Sequence, residues 1–449
     1  MAKLPQVFPV ACHTQQVGSG TTFVVIKGQH DDGVAYIDEA LKLGATKIVV
    51  EYDTHISEEL KAQISVAGAS LERVKNARSA LATMSAHAAG YPANQLKLIG
   101  VTGTKGKTTT TQMIYNLLRL AGHKVAVIGS VGNKIDAHSF PFVLTTPQPD
   151  YLHQFFALCV KEHIEYVVIE VAAQAVTFNR IETLEFDGLI FTNLDREHGE
   201  LYPTIEEYFA TKYKVFGHLK DHASIFVNAD DAYGKLILEK HPEFHSYSAA
   251  DAQGFEAPQF PGLFNRYNLA SAVKMCQALG VNKSTLKKLT PTLPQVPGRL
   301  EEHVLDNGAR AYIDYAHTPA SFKSIFETVR PWTDHLIVIF GAGGGKDHSK
   351  RPLMGQLAAT YADMVIITTD NPRKEDPQAI ISDIVVGISQ ELMHKVICEP
   401  DRELAIYKAR KMANSSTVIL LLGKGPDEYQ IIGETKIPFS ERAFLQKSL

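Results

Sequence analysis

Cysteine is scarce: four in 449 residues, at Cys12, Cys159, Cys276 and Cys398. They lie far apart and form no CxxC pair. That argues against a zinc knuckle or a disulfide framework and fits a reducing, cytoplasmic setting. No apolar run approaches membrane-spanning length, so no membrane partner is expected. A surplus of one charge is missing too. Lysine and arginine total 45 against 49 aspartate and glutamate, a net of −4. This leaves no broad basic footprint for nucleic acid, although a local basic pocket for phosphates remains possible. The stretch from Met1 to Cys12 has an apolar patch. It carries Pro5 and Pro9 and is too short to read as a signal sequence. What remains is ordinary globular composition, 45% hydrophobic and 21% charged. That is enough chain for two to four domains with their own cores.

One stretch organises the rest. Leu96 to Val101 reads as a buried strand, and it runs into Gly103-Thr104-Lys105-Gly106-Lys107-Thr108-Thr109. A helical pattern follows, with Met113, Ile114, Leu117, Leu118 and Leu120 assigned to one face. Strand, glycine loop and helix N-terminus make a phosphate cradle, because inward N–H groups and the helix dipole both favour anions. Lys107 can neutralise the β- and γ-phosphates, and the Thr108 hydroxyl can hold Mg²⁺. The usual P-loop has a glycine where Val101 stands, so this loop is tighter. The competing reading is a Gly/Thr-rich turn with coincidental lysines, and the flanking strand and helix argue against it.

Upstream, Phe23 to Lys27, Ala35 to Leu43 and Lys47 to Glu51 read as strand, helix, strand. Leu71 to Ala89 reads as one alanine-rich helix, ended by Gly90-Tyr91-Pro92. Downstream, the alternation continues. Strands are expected at Lys124 to Gly129, Tyr166 to Val171, Gly188 to Asn193 and Ala223 to Asn228. Helices are expected at Tyr151 to Glu162 and Ile205 to Leu219. The all-apolar strands suit a parallel sheet covered on both faces. Beyond the proline-rich Thr290 to Gly298, further strands at Arg310 to Asp314, His335 to Phe340, Met364 to Thr369 and Ser416 to Leu422 form a second open sheet. The fold class is therefore α/β in three domains. A small α/β domain covers 1–92, a central P-loop domain with a doubly wound, mainly parallel sheet covers 93–296, and a Rossmann-like α/β domain covers 297–449. Ligands should gather at strand C-termini.

The chain then resembles a known family. Val101 to Thr109, Thr145-Thr146-Pro147, Glu170-Val171, Phe191 to Leu194, Glu197-His198 and Tyr208 to Lys212 match the Mur ligases, MurE type, in family order. So do Asn228 to Asp231, Phe264 to Asn268, Pro297-Gly298-Arg299, Asp314 to Pro319, Lys350 to Met354 and Asp370 to Arg373. The resemblance implies an ATP- and Mg²⁺-dependent amide ligase of peptidoglycan precursor synthesis. It would add meso-diaminopimelate to UDP-N-acetylmuramoyl-L-alanyl-D-glutamate through an acyl-phosphate, as a cytoplasmic monomer.

By that resemblance Glu170 and His198 hold Mg²⁺ with Thr108, and Lys212 carries a carbamate that approaches the metal. Asn268 meets adenine, while Arg299, Asp314 and His317 serve ATP from the third domain. Thr145, Thr146 and Arg180 contact the muramoyl-peptide. Asp370, Asn371, Pro372, Arg373, Gly423 and Asp427 surround the diamino acid, with the Arg373 fork meeting a distal carboxylate that lysine lacks. Read without the family, Glu170 is a strand-end carboxylate, Lys212 a helix-surface lysine, and Asn371-Pro372 a turn beside an exposed arginine.

Departures cluster on one side. His13-Thr14-Gln15 stands where the family carries Asp-Ser-Arg, and Ala172-Ala173-Gln174 where it carries Ser-Ser-His. Phe178 replaces a polar residue, and Pro426 a common histidine. Asp427 is one methylene shorter than the usual glutamate. Each hydroxyl lost removes a donor and an acceptor, about 1 kcal/mol per contact. The ATP side is nearly untouched. Two alternatives therefore stand beside the first reading. One is a Mur-like ligase for another carboxylate acceptor or amino acid, such as L-lysine or a specialised peptide. The other is a catalytically silent nucleotide-binding paralogue.

Overall fold

The computed structural model describes residues 3–28, 31–140, 144–197 and 199–447. The chain forms two compact units, one of Met1–Glu256 with Tyr267–Thr292 and one of Ala257–Arg266 with Leu293–Leu449. The architecture is α/β with parallel-rich sheets, as the alternation of apolar runs and amphipathic segments requires.

The first unit holds two sheets. A four-stranded parallel sheet takes Val10–Ala11, Thr22–Val24, Lys47–Glu51 and Ser70–Val74 in that order. Its core is built on Phe23, Val25, Ile48 and Val50. Part of the expected Leu71–Ala89 helix belongs to this sheet. Ser70–Val74 pairs with Lys47–Glu51, and the helix spans only Ala77–Ala88. Asn76 sets the boundary, since its side chain accepts from the backbone N–H of Arg78 and Ser79 and caps the helix. A helix at Glu58–Val66, capped by Ser57, was not expected from the apolar pattern.

The larger sheet has eight strands, in the order His245–Tyr247, Leu219–Asn228, Phe186–Phe191, Lys97–Thr102, Tyr166–Glu170, Val125–Ile128, Asn133–Ile135 and His138–Phe140. The first six run parallel, and the last two are an antiparallel edge. Lys97–Thr102 lies between Tyr166–Glu170 and Phe186–Phe191, with Val125–Ile128 beyond. The chain leaves the central strand on one side and later returns to the other. This creates a topological switch point at the strand C-termini. The helix Lys107–Leu120 starts there and is buried from Thr108 through Leu118, so its early turns lie inside the unit. Leu120, expected on the apolar face, is exposed at its end.

The second unit carries a six-stranded sheet, in the order Glu301–Val304, Arg310–Asp314, Thr417–Leu422, His335–Phe340, Met364–Ile367 and Val396–Cys398. Only the first strand is antiparallel. The C-termini of Arg310–Asp314, His335–Phe340, Met364–Ile367 and Thr417–Leu422 point to one edge, where Tyr315, Gly341, Asp370 and Gly423 follow. No helix among the described residues is long and apolar enough to cross a membrane.

Candidate active site

The glycine loop is stitched to the strand beside it. Thr104 N donates to Asn193 O at 2.8 Å, Lys105 N to Asn193 Oδ1 at 2.9 Å, and Thr192 Oγ1 to Lys105 O at 2.7 Å. The Lys105 ammonium pairs with Asp195 at 2.8 Å. These contacts leave no room at Gly103, whose φ is +136°; a Cβ there would lie 2.0 Å from Thr192 Oγ1. Gly106, φ +82°, caps the helix in the left-handed region, and a Cβ would lie 2.4 Å from Asn268 Oδ1. Asn268 is thus packed against the loop, with Thr110 Oγ1 donating to its Oδ1 at 3.3 Å. It sits inside the helix Leu263–Ala278.

Two lysines converge on one carbonyl. Lys107 Nζ donates to Gly103 O at 3.0 Å and to Thr104 O at 2.7 Å, and Lys212 Nζ donates to Gly103 O at 2.7 Å. Lys212 comes from the helix Ile205–Tyr213 and is 1% exposed, so it is not a surface lysine. Burial drives its pKa well below the usual lysine value, and the Lys107 charge lowers it further, while Glu197 opposes both. The shift favours the neutral, nucleophilic form of the amine.

Glu170 ends its strand fully buried. Thr108 Oγ1 donates to Oε2 at 3.0 Å, Ser130 N to Oε1 at 2.8 Å, and Ser130 Oγ to Oε2 at 3.2 Å. Ser130 Oγ also meets Thr145 Oγ1 at 3.0 Å. Thr146 Oγ1 donates to Glu170 O at 2.6 Å and accepts from Ala172 N at 3.1 Å, so this hydroxyl serves the backbone. Hydroxyl and carboxylate oxygens gathered around Thr108 suit a hard cation. Among the described residues no group of three His, Cys, Asp or Glu could hold a metal. His198 lies outside the described residues. Ser130, Thr192, Asn193 and Asp195 were absent from the expected set. Single polar residues after a strand give no periodic signal, although Thr192 and Asn193 sat inside a recognised segment.

Next to Thr146, Arg180 is 9% exposed and its Nη1 donates to Thr146 O at 3.0 Å. Burial lowers its pKa to about 10, helped by the charge of Arg78. Asp150, buried against the small sheet, accepts from Cys12 N at 3.0 Å. His13 accepts from Gln15 N and caps a turn.

In the second unit Asp314 is buried. Its Oδ2 accepts from Leu300 N at 2.8 Å and its Oδ1 from Ala316 N at 2.7 Å. One oxygen is engaged by the residue just before the neighbouring strand Glu301–Val304, the other by the loop that follows its own strand. The Arg299 guanidinium stands 4.9 Å from the centroid of the Tyr315 ring, and His317 Nδ1 donates to Tyr315 O at 2.8 Å. Arg373 has φ +54°, and its Nη1 donates to Gly344 O at 2.9 Å. Lys424, unforeseen, is fully buried and reaches Asn371 Oδ1 at 3.1 Å and Asp370 Oδ1 at 3.4 Å. Pro372, next in the chain, is buried, and a Cβ on Gly423 would lie 2.7 Å from Asp370 Oδ2. Burial raises the Asp427 pKa, and Lys424 opposes the rise. So Asp370, Asn371, Pro372, Gly423 and Lys424 form one cluster, with Arg373 and Asp427 adjoining in sequence.

Residues 101–259 match the Mur ligase middle domain, and residues 298–425 match the Mur ligase, glutamate ligase domain. A UDP-N-acetylmuramoyl-L-alanyl-D-glutamate–2,6-diaminopimelate ligase of Caldanaerobacter subterraneus is 35% identical, covering 95% of this chain and 91% of that one. The enzyme of the same name from Parabacteroides distasonis is 36% identical, covering 97% and 93%. A solved structure of a ligase so named superposes with a TM-score of 0.63 at 25% identity, covering 98% and 94%.

Proposed function

The chain belongs to the Mur ligase family, and we propose that it is an ATP-dependent ligase joining meso-diaminopimelate to UDP-N-acetylmuramoyl-L-alanyl-D-glutamate in peptidoglycan precursor synthesis. The observation that carries this reading is one hydrogen-bonded set. Thr108, Ser130 and Glu170 lie together at the end of the phosphate loop, and Lys107 and Lys212 share the Gly103 carbonyl. Binding a nucleotide alone does not require a buried second lysine, which argues against a silent paralogue.

A carboxylate oxygen of the acceptor attacks the γ-phosphorus, an acyl-phosphate forms and ADP leaves. The amine of the diamino acid then attacks the acyl carbon, phosphate departs and the amine proton is lost. Lys107 and the loop N–H groups hold the phosphates in line and oppose their charge. Mg²⁺ would be held by Thr108 and Glu170, with His198 and a Lys212 carbamate as the further ligands, and when bound it supplies charge neutralisation at the phosphates. The low proton affinity of Lys212 supports carbamate formation, since the neutral amine is the form that adds to CO₂.

Asn268 faces the nucleotide, and Arg299, Asp314 and His317 act from the third domain. Thr145, Thr146 and Arg180 serve the acceptor, and the cluster around Asp370 and Arg373 takes the diamino acid. Segments 1–92, 93–296 and 297–449 divide these tasks, in a cytoplasmic monomer. Ala172, Ala173 and Phe178 favour a second reading, in which the same chemistry serves a different acceptor.

The test is phosphate release by purified protein given ATP, Mg²⁺, the UDP-muramoyl dipeptide and either meso-diaminopimelate or L-lysine. Release with diaminopimelate alone is expected. Silence with both, followed by turnover of another carboxylate, would favour the second reading.

A further inference from the structure

Phe178 is surrounded by charge. The Arg78 guanidinium carbon stands 4.6 Å from its ring centroid, and that of Arg180 5.4 Å. Arg78 comes from the first turn of the helix Ala77–Ala88, and its Nη2 donates to Lys27 O at 2.8 Å. Arg180 donates to Thr146 O. Among the described residues neither guanidinium has an ion-pair partner. Of the nearby carboxylates, Glu51 accepts from Ala77 N while its charge still reaches Arg78, and Asp150 accepts from Cys12 N and Tyr151 N. Nε of Arg180 is enclosed and has no hydrogen-bond partner. Two cations over one ring, one with a buried unused donor, form a seat that an anion completes.

The seat is tied to the phosphate loop. Arg180 holds Thr146 O, Thr146 Oγ1 holds Glu170 O, and the Glu170 carboxylate holds Thr108. An anion bound there would belong to a molecule that also reaches the reacting phosphate. Ala172 and Ala173 offer it no hydroxyl.

We propose that Arg78 joins Arg180 in seating one oxyanion of the acceptor, a carboxylate or a phosphate, and that Phe178 is the positioning residue that holds the two guanidiniums together. This rests on the amide-ligase reading and adds Arg78 and Phe178 to it. The aromatic ring takes over from the polar side chains missing on this side.

The experiment compares wild type with R78Q, R78K, F178L and F178Y. Calorimetric binding of the UDP-muramoyl dipeptide and of UDP-N-acetylglucosamine is measured, with KM for acceptor and ATP. R78Q is expected to weaken the dipeptide acceptor on the order of tenfold to a hundredfold, with KM for ATP within about twofold. R78K recovers only part, because a lysine cannot present a planar fork. F178L weakens the acceptor and F178Y restores it, since the ring is kept. Parallel weakening of UDP-N-acetylglucosamine identifies the seated group as phosphate, and its absence as carboxylate; either supports the seat. Unchanged acceptor binding in R78Q overturns the seat while turnover by wild type upholds the ligase reading. Acceptor binding that depends on Arg78, without turnover by wild type, overturns the ligase reading alone. An equal rise of both KM values in F178L and F178Y, with lowered melting temperature, reduces Phe178 to a packing role and overturns its part. A wild type that binds neither ligand overturns both readings.

Discussion

Two sides of the first unit rest their cations on backbone carbonyls but surround them differently. On the phosphate side Lys107 and Lys212 rest on backbone carbonyls, and Glu170 receives a hydroxyl and an amide from Ser130 and a hydroxyl from Thr108. On the side proposed for the acceptor, Arg78 and Arg180 stand over a phenyl ring and, among the described residues, have no ion-pair partner. The first arrangement is satisfied before any ligand arrives, which costs little reorganisation during phosphoryl transfer. The second keeps an enclosed donor, Arg180 Nε, without a hydrogen-bond partner, so binding energy there depends on what arrives. Chemistry is built into the protein on one side, and selection of the partner is left to the ligand on the other.

The largest effect should come from breaking the satisfied side. Glu170→Gln keeps the shape and removes the charge that Thr108 and Ser130 address. kcat is expected to fall about a thousandfold, with KM for the acceptor changed by no more than a few-fold. Steady-state kinetics at saturating Mg²⁺ decides it. A variant that kept near-normal kcat would mean that the Glu170 charge is not needed and that the contrast between the two sides is false.

The second unit offers an intermediate case. Arg373 is held in a left-handed conformation with one guanidinium nitrogen on Gly344 O, while Lys424 fixes Asn371 and Asp370. A partly engaged fork should discriminate between amino acids rather than drive turnover. In Arg373→Lys, the ratio of kcat/KM for meso-diaminopimelate over L-lysine is expected to fall about tenfold or more. Equal loss for both amino acids would mean that Arg373 shapes the loop and does not read the distal carboxylate.

How much of this the sequence carried differs by side in the same way. Buried parallel strands such as Tyr166–Glu170 and His335–Phe340 are unbroken apolar runs, and the glycine loop has a strand and a helix around it, so both were legible. The strand Ser70–Val74 was lost in a helix assignment because Leu71 and Val74 fit the three-residue spacing of the alanine-rich segment behind them. Only the Asn76 cap and the pairing with Lys47–Glu51 separate the two elements. Lys212 was marked by the family resemblance, while its spacing alone also allowed a surface lysine; its burial against Gly103 O excludes the surface reading. The stack of Arg78 on Phe178 spans a hundred residues of chain and depends on how the small sheet meets the large one, which no local pattern encodes. Ser130 and Lys424 were missed for the same reason, as isolated polar groups whose partners are distant in sequence.

The smallest effect on turnover, and a control for the contrast, lies in the buried interior of the same unit at His153. It is 1% exposed on the helix Pro149–Lys161, with Nε2 at 2.9 Å from Thr183 Oγ1. Burial lowers its pKa to about 4. In the unfolded chain a histidine titrates near 6.5. Between about 6.5 and 4 the unfolded state therefore binds the extra proton, and stability rises with pH through that window. The loss is complete below about pH 4 and amounts to roughly 3 kcal/mol relative to neutral pH. His153→Gln keeps a partner for Thr183 and removes the titration. Urea unfolding from pH 4 to 7.5 should show a shallower pH dependence in the variant by about that amount, with kcat and both KM values unchanged at pH 7.5. A variant with the wild-type slope would show that His153 is protonated in the folded protein. A variant with altered acceptor KM would show that this core couples to the acceptor side, so that binding there depends on more than Arg78, Phe178 and Arg180.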